Sequence, residues 1–290
     1  MTDGEKISEV IIEIMKMKIL KLGDIIAVDG KSIRSTVPEG KKNATLQILT
    51  AYFVNSGVVL GQKYIDGEKT NEIPVFQEML LYVDIKGKTI TADAMHCQKD
   101  TCEMIIARGG DYVFGLKGNH KLLKNDVEAF FADPENNGKI EIFEAPVEKR
   151  NGRVTQRIFY RALDTMAFDG AKNWKGVKSI FAVRRIVTTK HGVTDDICYY
   201  ISSLDSGPES LLATVRDHWK IESMHWMLDV VFSEDEHVAS ENAHKTLNIL
   251  RKFALLLHKN YIKEHNLRIS LKNFMFDCLT GEDLILKVCS

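Results

Sequence analysis

No window of this chain approaches the ~18 consecutive apolar residues that mark a membrane-spanning helix, which excludes a helical membrane protein on pattern. The opening stretch, Met1 to Lys21, is charged and lacks the apolar run and small-residue cleavage site of a secretory signal, so a cytoplasmic location is expected. The five cysteines (Cys97, Cys102, Cys198, Cys278 and Cys289) contain no C-x-x-C pair and are odd in number. Reduced thiols are expected, with neither a disulfide framework nor a cysteine zinc site. An excess of positive charge is also missing: 39 Lys+Arg stand against 40 Asp+Glu, a formal net charge of -1. A dedicated nucleic-acid binder often carries a clear surplus, so contact with a polyanion here requires basic residues gathered on one face. Internal repeats and low-complexity segments are absent, which leaves a globular chain whose 290 residues and 44% hydrophobic content support one large core in one or two domains.

What is present is an alternation of strand and helix patterns. Within Asp24 to Gly30 the run IIAVDG reads as a short buried strand ending in a carboxylate and a glycine turn. Thr45 to Asn55 and Val58 to Ile65 are β-rich and separated by Ser56-Gly57, and with the first run they predict a three-stranded antiparallel meander. Asn71 to Val83 predicts a helix, with Asn71 as cap and Pro74 in the first turn. Lys88 to Ala94 (KTITADA) returns to strand character and again ends in an aspartate. Gln98 to Arg108 reads as a helix closed by Gly109-Gly110, and Asp111 to Leu116 as a further strand. The order β-β-β-α-β-α-β is that of a ribonuclease-H-like mixed sheet flanked by helices. From about 141 to 204 the pattern becomes β runs broken by turns, a β-rich insertion. Helices then return over Ser210 to Phe232 and Glu241 to Tyr261, the latter with an apolar stripe at Leu247, Leu250, Phe253, Ala254 and Leu257.

Two strands that each end in an aspartate bring Asp29 and Asp93 side by side if they are neighbours, because hydrogen-bonded strands lie ~4.8 Å apart. Adjacent carboxylates repel and are tolerated at neutral pH when a divalent cation lies between them. Hard oxygen donors suit Mg²⁺, and two such ions ~3.5–4 Å apart serve an in-line phosphoryl displacement. Glu222 is the candidate third carboxylate, sharing one face of its helix with His218, His225 and Asp229, while Trp219, Ile221 and Leu228 point toward a core. Blander readings stand beside this one. An aspartate after a strand also forms turns and caps, and a charged helix face is also simply solvated. The spacing His218, Glu222, His225 admits zinc, although it is not the H-E-x-x-H pattern, and His225 with Trp226 also reads as core packing.

At this point the motifs identify a family. IIAVDGKSIRST, VLGQKYIDGEKTNEIP, TITADAMHCQKD, GGDYVFGLKGNH, YYISSL, VRDHWKIESMHWMLDVVFSED and ENAHKTLNILRKFAL, in that order from Ile25 to Leu257, resemble the H-repeat-associated, ISAs-type insertion-sequence transposases of the DDE superfamily. The resemblance implies a ribonuclease-H-like catalytic domain over 25–290, with residues 1–24 as the remnant of a longer N-terminal segment. It implies Asp29, Asp93 and Glu222 as catalytic and metal-binding residues, with two Mg²⁺ ions or Mn²⁺ in their place. It also implies double-stranded DNA as partner, a homodimer on paired ends and a nucleoid-associated setting. The signature around the last carboxylate falls on Val215, His218, Glu222 and Asp229, where related transposases carry Tyr, Arg, Glu and Lys. His120 and Ser223 replace the usual glutamine and asparagine, and the segment after Asp235 lacks the usual arginines. The implied chemistry is metal-dependent cleavage at element ends followed by attack of the freed 3′-hydroxyl on target DNA; the alternative is an inactive, N-terminally truncated DNA-binding remnant. Lys31, Arg34, Lys41 and Lys42, then Lys117, Lys121 and Lys124, then Arg150, Arg153 and Arg157 are the basic groups expected to meet phosphates. His218 and His225 join them as DNA contacts, Asp229 is accessory, and Trp226 is placed to stack on a base, an interaction of ~1–3 kcal/mol.

Overall fold

The computed structural model describes residues 3–17, 25–37, 45–65 and 72–289. Eight helices and twelve strands are assigned among them. The first half comprises α1 (Asp3–Met17), β1 (Ile25–Ile33), β2 (Thr36–Val37), β3 (Leu46–Phe53), β4 (Val58–Ile65), α2 (Glu72–Tyr82), β5 (Thr89–Ala92), α3 (Lys99–Ala107), β6 (Asp111–Leu116) and α4 (Lys121–Ala132). The second comprises β7 (Ile140–Glu144), β8 (Glu148–Arg150), β9 (Arg153–Ala162), β10 (Ser179–Thr189), β11 (Gly192–Ser202), α5 (Pro208–Val230), β12 (Ala239–Ser240), α6 (Glu241–Glu264), α7 (Leu271–Thr280) and α8 (Glu282–Cys289). The chain forms two compact units: one of Asp24–Val28 and Phe76–Trp219, the other of Met1–Gly23, Asp29–Val75 and Lys220–Ser290. The predicted cap Asn71 and the basic residues Lys41 and Lys42 lie outside the described residues.

In the first unit the strand order is β1-β5-β6-β11-β10-β9-β7, with β8 paired to β9. β1, β5 and β6 are parallel, in register from Ile25↔Thr89 to Val28↔Ala92 and from Thr89↔Asp111 to Ala92↔Phe114. Their buried runs (IAV, TITA, YVF) have the near-continuous apolar character of parallel strands covered on both faces. Helix α3 occupies the span the sequence predicts, and its end is set by backbone chemistry. Gly109 adopts φ +73° and donates to Ile106 O, while Gly110 donates to Ile105 O, a Schellman closure that only a residue free to take positive φ completes without strain. The β-rich stretch continues this sheet, because β11 pairs antiparallel with β6 over Leu116↔Tyr199 to Val113↔Ser202, and β10, β9 and β7 follow in antiparallel order. Phe159, Phe181 and Tyr200 stack in file across β9, β10 and β11 at 5.0 and 5.1 Å, and Leu211, Leu212 and Val215 of α5 close the cluster.

In the second unit β3 and β4 form the predicted hairpin, with a bulge between Ala51 and Tyr52 and Gly57 at φ +76° in the turn. Helix α1 packs on α6 and β4. The unit's smaller core groups are Ile33, Leu46 and Ile48, and Phe274, Cys278 and Val288. Helix α6 starts where Ser240 Oγ accepts from Ala243 N at 3.3 Å.

The buried face of α6 corrects the stripe read from sequence. Its buried residues are His244, Lys245, Asn248, Ile249, Lys252, Leu255 and Leu256, whereas Leu247 and Leu250 are exposed. The reason is that the polar members of the buried face each have a partner. Lys252 Nζ donates to Thr50 Oγ1 (2.8 Å) and Gln62 Oε1 (2.7 Å), Asn248 Nδ2 donates to Glu234 Oε1 (2.9 Å), and Lys245 pairs with Glu5 (3.0 Å) and Glu241 (2.9 Å). An apolar count is blind to that complementarity.

Candidate functional site

The ladder between β1 and β5 ends at Val28↔Ala92, and the next residue along each strand is an aspartate, Asp29 and Asp93. Asp93 occupies the cap position of the short 3₁₀ turn Ala94–His96, yet its side chain makes no capping bond and it is exposed. The turn is fixed by the backbone, through His96 N to Asp93 O, and by Asn119 Nδ2 donating to Ala94 O at 2.8 Å. The plain capping role that this position would suggest is therefore unfilled. In the same unit His218 of α5 places Nδ1 3.1 Å from Thr91 Oγ1, the residue two before Asp93. Glu222 follows His218 by one helical turn and is exposed.

In the other unit Asp29 accepts from His225: Nδ1 lies 3.2 Å from Oδ2, with the side chains 10% and 20% exposed. Burial pushes the imidazole's pKa down, and the Asp29 carboxylate pulls it back only in part, so the ring is held neutral. Nε2 of His225 is buried without a hydrogen-bond partner among the described residues. Two residues along β1, the Lys31 ammonium lies 2.5 Å from Asp229, 2.9 Å from Glu234 and 3.9 Å from Asp235. Burial opposes its charge, and the two nearer carboxylates outweigh burial, raising its pKa. Glu234 is fully buried and also receives Asn248 and Arg251, so the charge of Lys31 is committed inside the protein. Behind this cluster burial takes the Lys252 ammonium down to about 7, against the pull of Glu234.

The remaining predicted contacts divide by exposure. Lys117, Lys121 and the Arg34 side chain are exposed, and Asp235 accepts from the Arg34 backbone N at 3.1 Å. Lys124 pairs with Glu128, and Arg157 pairs with Glu148 at 3.0 Å. Two tryptophans correct the sequence reading: Trp219, expected in a core, is 53% exposed, and Trp226, for which core packing was the competing reading, is 60% exposed. Ile221 and Leu228 are fully buried, as helix phase requires. His218 and His225 turn to different partners, Thr91 and Asp29, which removes the shared-ion geometry that a zinc reading of their spacing needs. Sequence reasoning passed over Glu234 and Glu72. A Cβ on Gly30 would stand 3.1 Å from Glu72 Oε1, so glycine at that position admits a carboxylate against the backbone beside Asp29. Both glutamates lie within the family motifs, which is the only mark they leave in the sequence.

Each by itself, Asp29, Asp93 and Glu222 offer the hard carboxylate oxygens that a divalent cation prefers; Asp93 is spent on no cap, and Asp29 is steadied by a neutral ring. Among the described residues no group of three His, Cys, Asp or Glu side chains is gathered closely enough to enclose an ion. Nor is any described helix long and apolar enough to cross a membrane.

A mixed sheet flanked by helices, with an aspartate following the last rung of a parallel ladder on each strand, has the layout of a ribonuclease-H-like fold. The Transposase DDE domain model matches residues 21–257, and the chain belongs to that family. It is similar to an H repeat-associated putative transposase, YhhI, of Escherichia coli K12, at 33% identity over 90% of this chain and 72% of that protein. A putative transposase, YncI, of Escherichia coli O157:H7 is 36% identical over 81% of this chain and 62% of its own length. Among solved structures, a piggyBac transposase in a synaptic complex with hairpin DNA superposes with a TM-score of 0.52 at 11% identity, covering 92% of this chain and 52% of that one. That likeness shows the ribonuclease-H-like fold.

Proposed function

We propose that this transposase-family chain cuts DNA at the ends of an insertion sequence and joins the freed 3′-hydroxyl to target DNA, with Asp29, Asp93 and Glu222 as its catalytic carboxylates. The observation that carries the reading is the register of β1 and β5: their shared ladder ends at Val28↔Ala92, and the next residue of each segment is an aspartate, Asp29 inside β1 and Asp93 just past β5. Helix α5 supports it by carrying His218 to β5 and Glu222 one turn beyond. Magnesium bound by these oxygens would supply charge neutralisation at the scissile phosphate and an activated oxygen nucleophile. The chain's own residues do the rest. His225 restrains Asp29, exposed Lys117, Lys121 and Arg34 meet backbone phosphates, and exposed Trp226 offers a face to an unstacked base. Lys31 is excluded from phosphate contact by its carboxylates, and Asp229 serves as one of those carboxylates.

The test is Mg²⁺-dependent cleavage of a duplex carrying the flanking element end, followed by strand transfer from a pre-cut end. Asp29→Ala, Asp93→Ala and Glu222→Ala should each reduce both steps at least ~10³-fold, the scale on which catalytic groups acting as a unit are lost, with unchanged circular dichroism. Cleavage that survives in any of the three removes that residue from the site.

A further inference from the structure

We propose that His225 is a positioning residue for the reaction: its Nδ1–H holds Asp29 by Oδ2 and so fixes the direction in which the carboxylate presents its other oxygen. This rests on the assignment of Asp29 as a metal-binding carboxylate. Three observations lead to it. The first is the contact itself, Nδ1 to Oδ2 at 3.2 Å, made by a side chain that is 10% exposed. An ionised carboxylate accepts and never donates, so the proton in this bond belongs to Nδ1. The second is the opposite edge of the ring, where Nε2 is buried with no partner among the described residues. A buried N–H without an acceptor is costly, whereas a bare nitrogen lone pair costs less, so the tautomer protonated at Nδ1 alone is the one this pocket accommodates. The third is the setting of the two residues: Asp29 is on a buried strand and His225 is one turn from Glu222 on α5, flanked by the buried Met224 and Leu228. The imidazole therefore cannot swing away without opening the packing of the helix.

The arrangement has a chemical logic. An ammonium or guanidinium in this position would hold Asp29 as firmly but would place a positive charge against the cation the carboxylate is to bind. A neutral donor orients it without that repulsion. Lys31, the cation two residues on along β1, is paired with Asp229 and Glu234.

The experiment is calorimetric titration of the full chain with Mn²⁺ alone, no DNA present, on the wild type, His225→Asn, His225→Gln, His225→Phe and Asp29→Asn, with a thermal melt of each. Asparagine places its amide nitrogen where Nδ1 lies, and glutamine places it where Nε2 lies. Expected is a ~10–100-fold loss of Mn²⁺ affinity in the Gln and Phe variants, with the Asn variant within about threefold of wild type and the Asn and Gln variants melting alike. Should the Phe variant fail to fold, the Asn and Gln pair decides. Equal losses in Asn and Gln, or wild-type affinity in both, overturn the positioning role. An Asp29→Asn variant that binds Mn²⁺ as the wild type does removes Asp29 from the metal site and the proposal with it, a failure distinct from the first because the His225 variants need not then follow any pattern.

Discussion

Glu234 is a glutamate with no exposed surface, bonded at once to Lys31, Asn248 and Arg251. Breaking one side of such a buried pair strands the other, so Glu234→Gln should cost on the order of 3–5 kcal/mol at pH 7, measured by urea unfolding. Burial alone would raise the pKa of this carboxyl, and the Lys31 ammonium together with the Asn248 amide reverses that, leaving it below its ordinary 4.5. The unfolded chain therefore takes up the proton first as the solution is acidified. The stabilisation is fully present above pH 4.5 and is lost as pH falls through the lower folded value. The gap between wild type and Glu234→Gln should accordingly narrow in acid, and a gap independent of pH would contradict the Lys31 pairing. At this scale the sequence was legible where an acidic residue breaks an apolar run: Asp93 follows the end of β5 as expected, whereas β1 runs on through Asp29 to Ile33, so the strand end read at Asp29 is the end of its pairing with β5 and not of the strand. It was not legible for Glu234 or Lys252, because their meaning lies in partners about 200 residues distant. Nor did it reveal that Lys31, two residues past Asp29, spends its charge internally.

Among elements, α6 is the instructive one. Its apolar residues admit two helical faces, and the one at Leu247 and Leu250 reads as the apolar stripe, yet the buried face is the one bearing Lys245, Asn248 and Lys252, while Leu257 packs half-buried against the Phe274 group. Periodicity measures greasiness, and burial here follows partnership as well. The two phases make opposite predictions. Ile249→Ala, at a fully buried site, should destabilise by ~2–5 kcal/mol. Leu250→Lys, at an exposed one, should stay within about 0.5 kcal/mol, both read from thermal or denaturant midpoints. Similar losses at the two positions would restore the face that hydrophobicity favours. By contrast α3 and β6 were legible almost to the residue, because Gly109-Gly110 announces a helix end by local stereochemistry that no distant contact needs to supply. The β-rich stretch was legible as strands, but its pairing with β6 was not, since antiparallel extension of a sheet leaves no mark on either strand alone.

For the molecule as a whole, a net charge of -1 leaves no general attraction to DNA, so affinity must come from placed cations. If Lys117 and Lys121 meet phosphates, replacing both with alanine should weaken binding to every duplex alike. It should also lower the slope of log affinity against log salt by about 1 for each phosphate no longer neutralised. A weakening confined to one sequence, or an unchanged slope, would place these lysines elsewhere in the reaction.

The hydrogen bond from Gly4 N to Asn242 Oδ1 joins residues 238 apart, and the contacts of Lys31 and Lys252 span about 200. At ~5–20 residues per second, ribosomal synthesis separates the two halves of the Gly4 contact by roughly 10–50 seconds. During that interval Asp29 has been made but His225, Glu234 and α6 have not. The nascent polypeptide thus holds Lys31 without its carboxylate partners until the final quarter emerges, and termination before α6 yields fragments in which Glu234 lacks Asn248 and Arg251.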